Sequence, residues 1–536
     1  MGEPIANSEL ITDEFKAQNS PYFFYDDLIP YLNLDDSLNW KLTWSSDEVT
    51  IDSLNIKNHI ISNGAGLPIQ IEELKPAGSY RLISSEKQLV ETSHNGAQYI
   101  PTSLIELDQN IGYREAIKVS QGLLNPNSIN KQYNLLVDDV IVNDAGFTHD
   151  KQFQTLDVRD VSIYEEHNDR EWLDAFYSAL PFTSQDANWS LDDFGGDKIS
   201  ILALDAHFGI DQTLDYYFEH FHRNSLDGNG STVLSLIAPM LVEGGEEQAG
   251  LNAFSSSSFE EGGTIYDRIV FYDGVQRENG EVVDVPAIMM TDLSVVGHEL
   301  THSLITHEGD LTYTGLSGSL NEAFADIFGM TINAYTYGEN EHGNPDWDWV
   351  LKTPLHSVHE DGEPLVEDFR TPFNPGLNRQ PDTYQGEYWA DPNFLGDGDS
   401  GGVHINSGVI NYWYVLGVEG SGNNGYGEVH TDTLFGSHEN YTNDNGFIYD
   451  VEGIGLEKMQ GVVYHALTEI LIDDFSSNAT FENAREATIQ AAHQLTDPQI
   501  SNLYPGVPTL DAVDVDTIVD AWNAVGVGGG LAPTTI

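Results

Sequence analysis

The stretch GHELTHSLITH, residues 297–307, holds three histidines within ten positions. On a helix, His298 and His302 stand four residues apart and project from one face about a turn apart. That spacing lets two imidazoles take two corners of a zinc tetrahedron. Glu299 follows the first histidine and stands beside such an ion, where a carboxylate can take a proton from water. His307 lies nine residues after His298, about 180° round the helix, and reads as a surface or helix-end residue. One class of zinc proteases continues the motif as HExxHxxGxxH. Here the glycine position is Ile305 and the last histidine position is Glu308, so that class is excluded.

A third ligand is expected from a second helix, and LSGSLNEAFADIFGM supplies Glu322, 20 residues after His302. Asp326, one turn on, is placed to receive a ring N–H from a ligating histidine, and Asn321 could do the same for the other. A rival reading exists, because Ser319 and Glu322 also match a capping box at a helix start.

Positioning these groups needs a sizeable scaffold. The chain has 536 residues, which predicts two or three domains. Residues 1–125 alternate short apolar runs with turns and read as a β-rich extension. Strand signals continue through 126–310, broken by the helical stretch LDAHFGIDQTLDYYFEHF and ending in the HExxH helix. Residues 311–528 are mostly helical, with helices expected at 319–336, 407–416, 453–472, 481–495 and 512–524, and 529–536 form a tail. The expectation is an α+β fold of two lobes, β-rich then helical, with a cleft between them.

Composition narrows the chemistry. There are no cysteines, so disulfides, thiolate metal sites and thiol catalysis are excluded. Against 21 basic residues stand 86 acidic ones, a formal charge of −65. Such a surface repels nucleic acid and anionic membrane. The acids are spread along the whole chain, which favours adaptation to a saline habitat over specific cation binding. No apolar run is long enough to span a bilayer, and the start MGEPIANSELITDEF carries no signal-peptide pattern.

GHELTH followed by NEAFADIFG resembles the zinc signature of the thermolysin-like metallopeptidases. The likeness spans roughly 200–528, with a weaker approach from about 126. DAHF at 205–208, HRNSLDG at 222–228, LNAF at 251–254, GDGDSGGVHINSGVIN at 396–411 and the closing AWNAVGVG carry it further. The resemblance implies that His298, His302 and Glu322 bind zinc, with Glu299 as general base and then proton shuttle. It implies that His404 stabilises the oxyanion with Asp399 orienting its ring, and that Tyr313 donates to the same oxyanion. Asn252 and the backbone of Ala253 would hold the peptide as an added strand, and Arg370, in EDFRTP, a substrate carbonyl on the leaving-group side.

Departures from the family pattern are informative. Ser294 stands where the family usually has Asp, and the matching later positions are Asn333 and Leu351. Asn344, Asp346 and Asp348 remain as possible calcium ligands, so the usual two-calcium site is expected to be weakened or lost. Trp349 and Phe369 are expected to line a narrowed leaving-side pocket, and the stretch 420–450 reads as an insertion that could overhang the cleft. By position, residues 1–125 match the family's prosegment, the alternative being a permanent binding module.

The resemblance thus implies a secreted, monomeric zinc endopeptidase acting on proteins or peptides, with hydrophobic residues preferred on the leaving-group side. An aminopeptidase with the same ligands is disfavoured by the lack of a GxMEN-type element. A non-enzymatic acidic adhesin or binding protein is disfavoured because every catalytic position holds a competent residue.

Overall fold

The computed structural model describes residues 80–107, 131–164, 179–189, 198–309, 311–338, 349–353 and 367–528, with short gaps inside several of these stretches, and short strands between 41 and 70. Asn344, Asp346 and Asp348, most of the 1–125 extension and residues 422–440 lie outside the described residues. No described helix is long and apolar enough to cross a membrane.

A hairpin, β1 (Tyr80–Glu91) and β2 (Ala97–Leu107), precedes the main sheet. That sheet is built from β3 (Leu136–Val142), β4 (Thr148–Asp157), β5 (Thr232–Ile237), β6 (Ala253–Glu261) and β7 (Thr264–Phe271). Its order is β3–β4–β5–β7–β6, with the short strand Leu180–Pro181 also pairing β4. The inner three strands are parallel. TVLSLI of β5 is buried at every residue, as a strand covered on both faces must be. β6 pairs antiparallel with β7 and ends the sheet, so among the described residues its outer edge has no strand partner.

Helix α1 (Lys198–Phe221) packs against the hairpin and the sheet. The next two helices cross in the centre: α2 (Leu293–Glu308) carries the HExxH motif and α3 (Gly315–Tyr337) carries Glu322. Most residues of both are buried on all sides, so neither shows a single amphipathic stripe. Their close approach rests on two glycines. A Cβ on Gly329 would lie 2.3 Å from Ser294 O, and one on Gly297 would lie 3.2 Å from Gly329 Cα. Around them stand α4 (Val403–Glu419), α5 (Leu456–Ala466) with a π-helical turn at Leu467–Leu471, α6 (Phe481–Gln494) and α7 (Ala512–Ala524). The stacked pair Trp413–Trp522, 4.5 Å between centroids, locks α4 to α7. Sheet lobe and helical lobe together give the α+β architecture expected.

Two helix starts beside the site differ from the sequence reading. α3 begins at Gly315, not 319, after Thr314; Gly315 has φ +54 and its N–H donates to Ser400 O at 2.8 Å. Ser319 is therefore mid-helix, its hydroxyl donating back to Gly315 O at 2.9 Å, and it caps nothing. The capping-box reading of Ser319 and Glu322 fails, which frees Glu322 for the site. α4 begins at Val403, not 407, so His404 sits in a helix's first turn instead of a loop. Gly402 before it takes φ +76, a conformation that ends the loop and lets the helix start early.

Candidate metal and peptidase site

The centre of the site is a pair of imidazole nitrogens. His298 Nε2 and His302 Nε2 lie 3.0 Å apart. Glu322 Oε2 is 3.7 Å from the first and Glu322 Oε1 3.5 Å from the second. Tetrahedral bonds of about 2.05 Å put ligand atoms about 3.3 Å apart, so this triangle has the size a zinc ion needs. The partners on the far side of each ring fix the chemistry. Asn321 Nδ2 donates to Leu311 O, which turns its Oδ1 toward His302 Nδ1 at 2.6 Å. The proton of His302 is therefore on Nδ1, and the Nε2 lone pair faces inward. His298 Nδ1 lies 2.8 Å from Asp326 Oδ1, with the same consequence. With His298 neutral, two lone pairs and a carboxylate converge in a buried space that calls for a cation between them. Burial works to lower His298, but Asp326 and Glu322 outweigh it and raise it, so in the absence of metal a proton on that ring takes the cation's place. The residues fit a zinc ion.

Electrostatics sharpen this. Burial, helped by the neighbouring His298, lowers His302 to about 4, so its ring is neutral and ligand-ready at neutral pH. Burial works to raise Glu322, but Arg370 and the two histidines outweigh it and hold its carboxyl well below the usual range. At Glu299 the same cations are outweighed by burial. Burial pushes it up to about 7, against the pull of His298, which places a proton acceptor near neutrality. The N–H of Ser255, on β6, donates to Glu299 Oε2 at 2.9 Å, so the edge strand fixes the carboxylate. Ser255 and Ser303 hydroxyls join β6 to α2 at 2.6 Å as well.

On the other side of Glu322, Tyr313 and His404 meet. Tyr313 donates its hydroxyl to Glu322 Oε1 and lies 3.1 Å from His404 Nε2. His404 Nε2 is 3.3 Å from the same carboxylate oxygen. Asp399 Oδ1 stands 2.5 Å from His404 Nδ1, which turns Nε2 toward the site. Burial and the adjacent Glu322 raise the Tyr313 hydroxyl far above its ordinary value, so it is a donor throughout the physiological range.

The structure brings His298, Glu299, His302, Asn321, Glu322, Asp326, Tyr313, His404 and Asp399 together. Asn252 is exposed and Ala253 begins β6, beside the strand residue that holds Glu299. Arg370, expected to bind a substrate carbonyl, is buried beside the proposed metal ligands, with its guanidinium on Asp326 and, at 2.8 Å, on Glu322 Oε2. Trp349, expected to line a specificity pocket, is buried against Tyr414 and donates its indole N–H to Glu419. His307 stays out of the site, bonded to Asp267 at 2.8 Å.

Sequence reasoning missed Asn411, which donates to Asp326 Oδ2 at 2.7 Å and completes that carboxylate's partners. Its signal was present, since Asn411 lies seven residues after His404 and so on the same helical face. Ser255 was missed too, because a strand residue bonded through its backbone leaves no side-chain signature.

The model of the thermolysin metallopeptidase catalytic domain matches residues 141–306, and that of the thermolysin metallopeptidase alpha-helical domain matches 309–527. A bacillolysin from Bacillus cereus is 29% identical over 329 residues, 61% of this chain and 44% of that protein. A transglutaminase-activating metalloprotease from Streptomyces mobaraensis is 30% identical over 325 residues, 61% of this chain and 34% of that protein. The chain thus matches less than half the length of these curated relatives. Among solved structures, the precursor of protealysin from Serratia proteamaculans matches at 20% identity and a TM-score of 0.41, covering 70% of this chain and 87% of that one. Two domain models of one family, consecutive and in order over well over half of the residues, show that the chain belongs to the thermolysin metallopeptidase family.

Proposed function

We propose that the chain is a zinc-dependent endopeptidase that cleaves internal peptide bonds of proteins, secreted and working in a saline medium. The observation that carries this is the inward-facing triangle of His298 Nε2, His302 Nε2 and Glu322, with Glu299 beside it. A zinc ion held there supplies Lewis acidity at the scissile carbonyl. The chain's own groups do the rest. A peptide adds to the outer edge of β6, with Asn252 and the Ala253 backbone as its first contacts. Glu299 takes the proton of the attacking water and returns it to the leaving amine. Tyr313 and His404 donate to the oxygen on which charge develops, each contributing on the order of 2.7–4 kcal/mol. Asp399 keeps the His404 ring aimed, and Arg370 with Asn411 fixes Asp326, which orients the His298 ring.

The test is casein hydrolysis by the full chain at high salt. Activity should be abolished by a chelator, restored by zinc, and reduced by more than about a hundredfold in Glu299→Gln, which keeps the fold but removes the proton acceptor. Chelator-resistant cleavage, or a Glu299→Gln variant with a tenth or more of the activity, rejects the proposal.

A further inference from the structure

We infer that Asn95, in the turn of the β1–β2 hairpin, is a positioning residue for the metal site, and that the hairpin is a working part of the catalytic body although it precedes the family-matched residues. This rests on the proposed zinc peptidase function for its activity readouts, but not for its structural one.

The argument starts at the beginning of α2. A helix leaves its first four N–H groups without intrahelical partners. Asp292 serves two of them: its side chain accepts from Ser294 N at 3.0 Å and its carbonyl from Val295 N at 3.0 Å, the same carbonyl taking the first intrahelical bond from Val296 N at 2.9 Å. A third, Leu293 N, is satisfied from far away in sequence, by Asn95 Oδ1 at 3.2 Å. The same oxygen accepts from the hydroxyl of Tyr337, the last residue of α3, at 3.1 Å. One carbonyl oxygen thus ties the start of the helix carrying His298 and His302 to the end of the helix carrying Glu322.

Asn95 is itself held. Its N–H and its Nδ2 both donate to the buried Asp205 Oδ1 of α1, at 3.0 and 2.8 Å, and its carbonyl accepts from Gln98 at 2.6 Å. The side chain is buried, so each of these bonds is made away from competing water. The rest of the hairpin is anchored along the same body. Pro101 O lies 2.8 Å from His207 Nε2, Lys87 pairs with Asp211 at 3.2 Å, Trp189 donates to Gln88 at 2.8 Å, and Val90 and Ile100 enter the main core. Shedding the hairpin on maturation would break these bonds and uncover the core surface that Val90 and Ile100 cover, a costly outcome. The geometry instead assigns residues 80–107 to the mature catalytic unit.

The test compares full-length Asn95→Ala, Gln88→Ala and the exchanged pair Asn95→Asp with Asp205→Asn. Gln88→Ala loosens the hairpin at its Trp189 contact without touching the helix start. The exchanged pair keeps an acceptor for Leu293 and a donor between positions 95 and 205. In Asn95→Ala, amide exchange of the peptide 290–297 in metal-free protein should quicken at least about tenfold, zinc should be lost to a competing chelator at least about tenfold more readily, and kcat should fall with KM unchanged. Gln88→Ala should change none of these, and the exchanged pair should restore them. Asn95→Ala matching Gln88→Ala in exchange and zinc retention overturns the inference, as does a folded exchanged pair that loses zinc. If the unaltered chain neither holds zinc nor cleaves casein, the proposed function fails, while exchange at 290–297 still decides the role of Asn95. If Asn95→Ala does not fold, the exchanged pair alone decides it.

Discussion

Carboxylates in this molecule do different work because different things touch them. Glu322 and Asp326 are held ionised by Arg370 and by the histidines, whereas Glu299, with no cation bonded to it, is left near neutrality. The proposed histidine ligands were legible in the sequence because the four-residue helical spacing of His298 and His302 is local, and Glu322 was legible through its motif on the next helix. The pairing of Arg370 with Asp326 and Glu322 was not legible, because its partners lie on another element and no periodicity reports which buried carboxylate an arginine will meet. Glu419 makes a case away from the site. Burial pushes it up to about 7, while the Trp349 indole N–H works the other way. Its folded pKa exceeds its ordinary value, so its stabilising contribution is complete below about 4.5 and is lost as pH rises through about 7. Glu419→Gln should therefore raise the unfolding midpoint at pH 8 by the equivalent of up to about 3 kcal/mol and change it little at pH 4.5. Melting curves at the two pH values check this, and an equal effect at both would contradict it.

At the level of elements, the site is a crossing of two helices set by two glycines. Residues 297 and 329 each abut a motif, but single-helix reasoning does not show that they face each other. The structure leaves no room at 329 for a Cβ, which would meet Ser294 O at 2.3 Å and His298 Cβ at 3.2 Å. Gly329→Ala must push α2 and α3 apart, and with them His298 and Glu322. The expected result is a loss of zinc affinity of at least about tenfold together with destabilisation of a few kcal/mol. Zinc retention against a graded chelator, measured on protein shown to be folded by circular dichroism, checks it. The early starts of α3 and α4 were hidden for a related reason. Each depends on a positive-φ glycine, Gly315 and Gly402, and Gly315 N bonds to Ser400 O, a contact between distant loops. The two-lobed order of strands then helices, by contrast, was readable from patterning alone, since β5 and β7 are apolar runs and the later helices carry clear periods and caps such as Thr480 and Asp511.

The whole molecule carries a net charge of −65. Self-repulsion at that charge is screened over about 10 Å at 0.1 M salt and about 3 Å at 1 M. Ser294 and Asn333 both lie buried at positions where the family resemblance leads one to expect carboxylates, and we propose that screening by salt, not a cation held there, is the main source of relief. The unfolding midpoint should rise substantially between low and molar sodium chloride, and most of that rise should persist at saturating calcium. A midpoint flat across salt, or a rise reproduced by millimolar calcium alone, would assign the carboxylates to specific cation binding instead.

The central claim is that one zinc ion sits between His298, His302 and Glu322. Anomalous diffraction at the zinc edge, from crystals of the zinc-loaded full chain, tests it most directly. The account predicts a single strong peak about 2.0–2.2 Å from both Nε2 atoms and from a Glu322 oxygen, with His307 remote from it. Absence of a peak there, or a zinc bound through His307 or Asp326 instead, would contradict the account.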